Sequence, residues 1–242
     1  MKVIGLGHYS RTGKDTFANA LITSLREYDP KFRVGKVPFA WKLKQVCYEL
    51  YAWAGMKPPE WYETAEGEKD RDIMLPAIGK TPVDIWIDMG TPAVRQNVYD
   101  RTWIDYVLKT DHKLDVLIVP DVRFYNEVDA VRELSGTLIK VVRPGYGPRK
   151  SPADRALLCY RGWDLVIGET GDIRELKQWA NRFAYALTQD NVPHWPPFRY
   201  ADENKAAYQV EVIEPWERDG EWLKPGWALR DGRLINLMEQ AA

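Results

Sequence analysis

The chain is poor in the residues that most often fix a chemistry by themselves. Its 242 residues hold two cysteines, Cys47 and Cys159, and three scattered histidines, His8, His112 and His194. That supply excludes a disulfide framework and offers no zinc-ligand spacing, and it suits a reducing, cytoplasmic setting. No run approaches the ~20 apolar residues of a membrane span, and the N-terminus enters an apolar run without a signal-peptide layout. Neither sign of charge dominates: 34 Lys and Arg against 35 Asp and Glu leave a formal net charge of -1. No global basic field therefore exists to recruit polymeric nucleic acid or an acidic membrane. No G-x-S-x-G segment or Ser/His/Asp grouping stands out. At 45% hydrophobic and 29% charged residues, the composition is that of a globular chain long enough to bury a sizeable core.

Short apolar runs alternate with helical patterns. Residues 2–6, 33–39, 114–119, 137–142 and 164–167 read as strands, and the run Leu114-Asp115-Val116-Leu117-Ile118-Val119 has the near-continuous apolarity of a strand buried on both faces. Phe17, Leu21 and Leu25 repeat at helical spacing, as do Leu43, Val46, Cys47 and Leu50, and later Ile173, Leu176, Ala180, Phe183 and Leu187. Residues 81–111 read as mostly helical, interrupted near Gly90-Thr91-Pro92, and the polar stretch 57–80 reads as a solvated excursion. This alternation predicts an α/β domain around a parallel sheet over residues 1–190. Pro193, Pro196 and Pro197 then mark a linker into a C-terminal extension, 191–242. There Tyr208 to Ile213 alternates, and turns at Asp219-Gly220, Pro225-Gly226 and Asp231-Gly232 predict a small β meander.

The informative segment is Gly7-His8-Tyr9-Ser10-Arg11-Thr12-Gly13-Lys14-Asp15-Thr16, between the first strand and the first helix. Backbone N–H groups of such a loop and helix N-terminus converge on an anion, and the helix dipole adds to the attraction. Gly13 permits close approach of the backbone, and Lys14 reaches the outer phosphates of a nucleotide such as ATP. The loop departs from G-x-x-x-x-G-K-[ST] twice. Gly7 stands one residue early, and Asp15 occupies the place of the magnesium-binding hydroxyl, with Thr16 next. Asp15 and Thr16 are therefore assigned to Mg2+ as a pair.

Several segments in order resemble the deoxynucleoside monophosphate kinases of tailed bacteriophages. Arg11-Thr12-Gly13-Lys14-Asp15-Thr16 resembles that family's R-x-G-K-D-T loop, and Phe39-Ala40 with Leu43-Lys44 its F-A-x-x-L-K segment. Gly79-Lys80-Thr81-Pro82, Gly90-Thr91 and Arg95 resemble a second block, Pro120 to Glu127 its D-x-R-x-x-x-E block, and Val141 to Gly145 its strand into a lid. The resemblance spans about residues 1–188 and implies a P-loop kinase fold, a parallel sheet of about five strands with helices on both faces. It also implies ATP- and Mg2+-dependent conversion of dNMP to dNDP in the host cytoplasm. Val83 and Ile87 stand where the family usually has Arg and Gln, and Glu169 where it commonly has an Asn near the base.

From chemistry and resemblance together, Arg123 is assigned to the acceptor phosphate, because a guanidinium fork binds phosphate oxygens bidentately. Asp121 is assigned to Mg2+ or its water shell, with a local ion pair to Arg123 as the plainer alternative. Lys44 and Arg95 are further acceptor-phosphate candidates. Glu127 either contacts sugar or base or caps its helix, and Phe39 and Trp103 either stack on the base or serve the core. Residues 143–161 carry Arg143, Arg149, Lys150, Arg155 and Arg161 among Gly and Pro. They read as a lid with Arg149 and Arg155 closing over the ATP phosphates, or as a solvated basic loop. Ser151 to Asp154 reads as a helix start. The extension, with Trp195, Trp216, Trp222 and Trp227, reads as an appendage packed on the main domain by its aromatics, with a homodimer contact or a cover for the active site as the alternatives. Two further functions stay open: a kinase acting on modified bases in phage DNA, and a nucleotide-binding regulatory protein without transfer.

Overall fold

The computed structural model describes residues 1–7, 9–148, 152–168 and 171–188, together with four short strands between residues 217 and 236. Five strands form one parallel sheet: β1 (Lys2–Gly7), β2 (Val34–Lys36), β3 (Val116–Val122), β4 (Thr137–Val141) and β5 (Leu165–Ile167), in the order β2-β3-β1-β4-β5. The helices are α1 (Lys14–Tyr28), α2 (Ala40–Tyr51), α3 (Ala65–Asp70), α4 (Pro82–Asp88), α5 (Thr102–Lys109), α6 (Tyr125–Glu133), α7 (Pro152–Arg155) and α8 (Ile173–Thr188). Among the described residues no helix is long and apolar enough to cross a membrane.

The two-residue period of the strands divides the core into two layers. Ile4, Leu6, Val116, Ile118, Ile139 and Val141 face α1 and α8, where Phe17, Leu21, Leu25, Ala180 and Phe183 cover them. Val3, Leu117, Val119 and Leu138 face the other way, against Ile104 and Val107 of α5 and Val128 and Val131 of α6. Fully burying each such side chain contributes about 1.5–3 kcal/mol, which is why both faces of the sheet are closed.

β3 runs past Pro120, where the apolar run in the sequence seemed to stop at Val119. Its register against β1 shifts between Gly5 and Gly7, pairing Gly5 with Val119 but Gly7 with Val122. One extra residue of β3 is taken up in this bulge, and a bulge is where a strand tolerates a proline that lacks an N–H. The strand therefore carries Asp121 and Val122 to the C-terminal edge of the sheet.

The stretch 57–80, expected as a solvated excursion, is instead folded. Met56, Tyr62 and Leu75 are buried with Leu43 and Cys47 of α2 and Ile85 of α4 in a third apolar cluster. Thr64 caps α3 by accepting from Gly67 N at 3.0 Å, and Leu75 N donates to Lys80 O at 2.9 Å. Thr81 and Asp84 form a reciprocal capping box at the start of α4, with Pro82 in the first turn. The interruption foreseen near Gly90 is a π-helical segment, Met89–Gln96, with Pro92 inside it. In the extension, β6 (Glu217–Arg218) pairs with β7 (Glu221–Trp222) and β8 (Trp227–Arg230) with β9 (Arg233–Asn236), both antiparallel. The strand expected at residues 208–213, Trp195 and Trp216 lie outside the described residues.

Candidate active site

β1, the central strand, empties into the phosphate loop. Arg11 and Gly13 both adopt left-handed backbone, at φ 62° and 98°, and Gly13 forms the turn directly before α1. There a side chain would be strained and would also press on Leu176. Gly7 is required for a different reason: a Cβ at that position would lie inside the indole of Trp163. The glycine that comes one residue early is thus set by packing against the segment before β5.

Lys14 is 6% exposed and donates to the carbonyl of Tyr9 in its own loop. Burial, and then the nearby Arg123 charge, lower its pKa to about 8, against the opposing charges of Asp15, Asp154 and Asp121. These charges lie near Lys14 at the C-terminal edge of the sheet, the edge where ligands bind in open α/β sheets. Asp15 is exposed and accepts from Lys36 Nζ at 2.8 Å. Thr16, with Thr12 and Gly13, lines a cavity of about 150 Å³ whose other walls include Val142, Arg143, Ile173 and Leu176. Arg11 reaches away from the loop to Glu68 of α3 at 3.2 Å.

Asp121 accepts from the amides of Phe39 at 2.8 Å and Ala40 at 3.0 Å, the first residues of α2. Burial raises its pKa, against those two bonds and the positive charges of Arg123 and Lys44. Arg123 donates through Nη1 to Asp154 of α7, a carboxylate only 1% exposed.

A second cluster fixes Arg95. Its guanidinium lies 4.6 Å from the centre of the Phe124 ring and meets Glu127 at 3.3 Å, Asn126 at 2.9 Å and Asp100 at 3.4 Å. Glu127, 5% exposed, also accepts from the amides of Arg123 at 2.7 Å and Phe124 at 3.1 Å, so it does cap α6. Burial, and then the charge of Asp121, push its pKa up to about 7. Lys44 pairs with Glu63 at 2.8 Å and lies 5.2 Å above the Trp86 ring. On α4, Val83 is half-buried and Ile87 exposed.

Phe39 is 3% exposed, in the same cluster as Val119 and Leu157. Trp103 packs on the third cluster and donates to Gly90 O at 3.0 Å. Arg155 follows Asp154 at the end of α7, while Arg149, Lys150, Ser151 and Glu169 lie outside the described residues. Sequence reasoning passed over Asp154 as a partner of Arg123. The signal was present, because Asp154 is the one acid among the basic residues of 143–161. Glu63, the partner of Lys44, gave none, being one of many charges in a polar stretch.

A phosphate loop on the central strand of a five-stranded parallel sheet, with a buried lysine at its end and an arginine nearby, defines a P-loop phosphotransferase of the nucleoside monophosphate kinase type. Comparison with known proteins narrows the class. The chain is 30% identical over 186 residues, 72% of its length and 92% of the relative's, to the "Putative deoxynucleotide monophosphate kinase" of Acanthamoeba polyphaga mimivirus. It is 37% identical over 93 residues, 36% of its length and 39% of the relative's, to the "Deoxynucleotide monophosphate kinase" of Enterobacteria phage T4. No family model matches the chain. The chain belongs to the deoxynucleotide monophosphate kinase family.

Proposed function

We propose that this protein transfers the γ-phosphoryl group of ATP to a deoxynucleoside monophosphate, releasing ADP and the deoxynucleoside diphosphate, with Mg2+ required. The observation that carries the reading is the proximity of Lys14, at the end of the phosphate loop on β1, to Arg123, at the end of β3, near enough that the guanidinium charge lowers the lysine's pKa. One cation for the donor phosphates and one for the acceptor then face a common reaction line. The acceptor phosphate is already an anionic nucleophile, so catalysis needs positioning and charge neutralisation rather than a strong general base.

On this reading the loop amides of Thr12 and Gly13 cradle the ATP phosphates, Arg11 flanks them, and Lys14 exchanges the Tyr9 carbonyl for phosphate oxygens. Arg95 and Lys44 support the acceptor from the α2–α4 side, each held by a carboxylate. Glu127 orients Arg95 and the backbone of Arg123 together. Arg149 and Arg155 close over the donor phosphates, and Phe39 and Trp103 shape the acceptor side from beneath.

The donor set fits Mg2+. Among the described residues no three His, Cys, Asp or Glu side chains form a cage, yet Mg2+ at such sites takes one or two protein oxygens and completes its shell with phosphate and water. Thr16 lies at the cavity beside the loop, Asp15 is exposed at the head of α1, and each Asp121 oxygen keeps a lone pair after its amide bond. Bound there, the ion would neutralise charge on the transferring phosphoryl group. We place the kinase core at residues 1–190, with a lid about 143–161 and the extension at 191–242, working on free nucleotides in the cytoplasm.

The test is an ADP-release assay over a panel of deoxynucleoside and ribonucleoside monophosphates, with K14A as control. At least one deoxynucleoside monophosphate is expected to give turnover, lost by orders of magnitude in K14A. ATP binding without turnover of any monophosphate would overturn the reading.

A further inference from the structure

Arg123 is half-buried and lies near a second cation, Lys14. Two like charges brought out of water repel each other and lose hydration, and the arrangement persists only if anions compensate it. Asp154 is one such anion. It comes from α7, a short helix outside the sheet that is anchored by Leu157, which is fully buried against the layer beneath β3. The carboxylate is 1% exposed, bonds the guanidinium Nη1, and lies near enough to Lys14 to favour its charged form. A carboxylate and a phosphate offer a guanidinium the same thing, a pair of anionic oxygens in a plane that its fork matches.

We propose that Asp154 is an internal stand-in for the acceptor phosphate: it occupies Arg123 in the nucleotide-free protein, and an incoming phosphate dianion must displace it. The inference rests on the assignment of Arg123 to the acceptor phosphate and adds a regulation of that site. It makes acceptor binding a competition between two anions for one guanidinium. The dianion prevails through its greater charge and through Lys44 and Arg95, which are held by Glu63 and Glu127. Displacement breaks the ion pair between α7 and the residue that follows β3, so the acceptor's arrival is felt at α7. A purely structural Asp154 would instead hold Arg123 in its binding pose, and its loss would weaken acceptor binding.

Calorimetric titration without ATP separates the two. Wild type, D154N, R123Q and the double variant are titrated with inorganic phosphate and, separately, with a deoxynucleoside monophosphate. D154N is expected to bind both about tenfold more tightly, the scale of one charge-assisted competitor removed, and R123Q is expected to abolish that gain. Unchanged or weaker binding in D154N overturns the proposal, as does a gain that survives R123Q. Should D154N not fold, the wild-type protein decides by NMR. The Asp154 carboxylate carbon should shift on addition of inorganic phosphate, and an unmoved signal at saturating phosphate overturns the proposal. Since these readouts need no turnover, a chain that phosphorylates no monophosphate would defeat the kinase reading while leaving this result intact.

Discussion

The carboxylate of Asp121 receives the amide of Phe39 at 2.8 Å and that of Ala40 at 3.0 Å, so the residue that ends the buried run of β3 also begins α2. One acid therefore joins the C-terminal edge of the sheet to the helix that carries Lys44. Replacing it by alanine strands two amides and is expected to cost about 1–2 kcal/mol of stability in urea unfolding. D121N keeps one carbonyl oxygen for those amides and should cost less than D121A, yet it removes the charge proposed for Mg2+. Its turnover should fall about a hundredfold or more, a loss on the scale of a removed electrostatic stabiliser. A D121N protein with wild-type turnover at every Mg2+ concentration would remove Asp121 from the metal set and leave it a helix cap.

Lys14 poses the opposite trade. Lys14 is 6% exposed and burial disfavours its charge, a cost that the proposed binding of nucleotide phosphates would recover. K14M replaces it with an uncharged chain of similar length. It is expected to unfold at the same or higher temperature than wild type, with a gain up to about 1 kcal/mol, while ADP release drops by orders of magnitude. A marked fall in melting temperature would instead make the bond to the Tyr9 carbonyl a structural support.

The sheet and its loop were legible because each rests on a local signal. Val3 to Leu6 and Val116 to Val119 are apolar on both faces, and Phe17, Leu21 and Leu25 keep helical spacing. The fold of residues 57–80 was not, since its core contribution comes from Tyr62 and Leu75, thirteen positions apart in a charged background. Periodicity has no purchase on contacts that far separated. The same limit applied at the site. Arg123 was visible beside its strand, but its partner Asp154 lies 31 residues on, and the Glu63 that holds Lys44 is 19 residues away. The strand expected to end at Val119 runs on to Val122 because a bulge depends on the neighbouring strand, which one segment does not reveal.

Glu127 gives the stability curve a definite slope. Its carboxyl sits at about 7 in the folded protein, against an ordinary 4.5. Between those values the folded chain holds a proton that the unfolded chain has released, so stability contributed at this position falls as pH rises. The contribution is level below about pH 4.5 and level again above about pH 7. E127Q carries no such proton. Urea unfolding of both proteins from pH 4.5 to 8 should show wild type losing ground to E127Q as pH rises to 7, then no further change. A constant difference across that range would mean that Arg95 and the two amides keep Glu127 ionised throughout.

Gly7 and Trp163 offer a test of how the phosphate loop is seated. A methyl group at residue 7 would occupy the space of the indole, which is itself packed at 5.1 Å between ring centres against Tyr160. The indole belongs to a buried layer with little room to retreat, and overpacking of this kind typically costs about 1–3 kcal/mol. G7A is thus expected to lose stability by that amount and to weaken ATP binding, because the strand end that positions Lys14 must shift. Shortening the partner should reverse the first effect. G7A/W163L is expected to be more stable than the sum of its single variants by about 1 kcal/mol or more, the sign of residues in contact. Strict additivity in a double-mutant cycle would show that Gly7 is required for its backbone alone. The cycle is read by urea unfolding, with ATP titration of each variant reporting whether the relieved loop binds again.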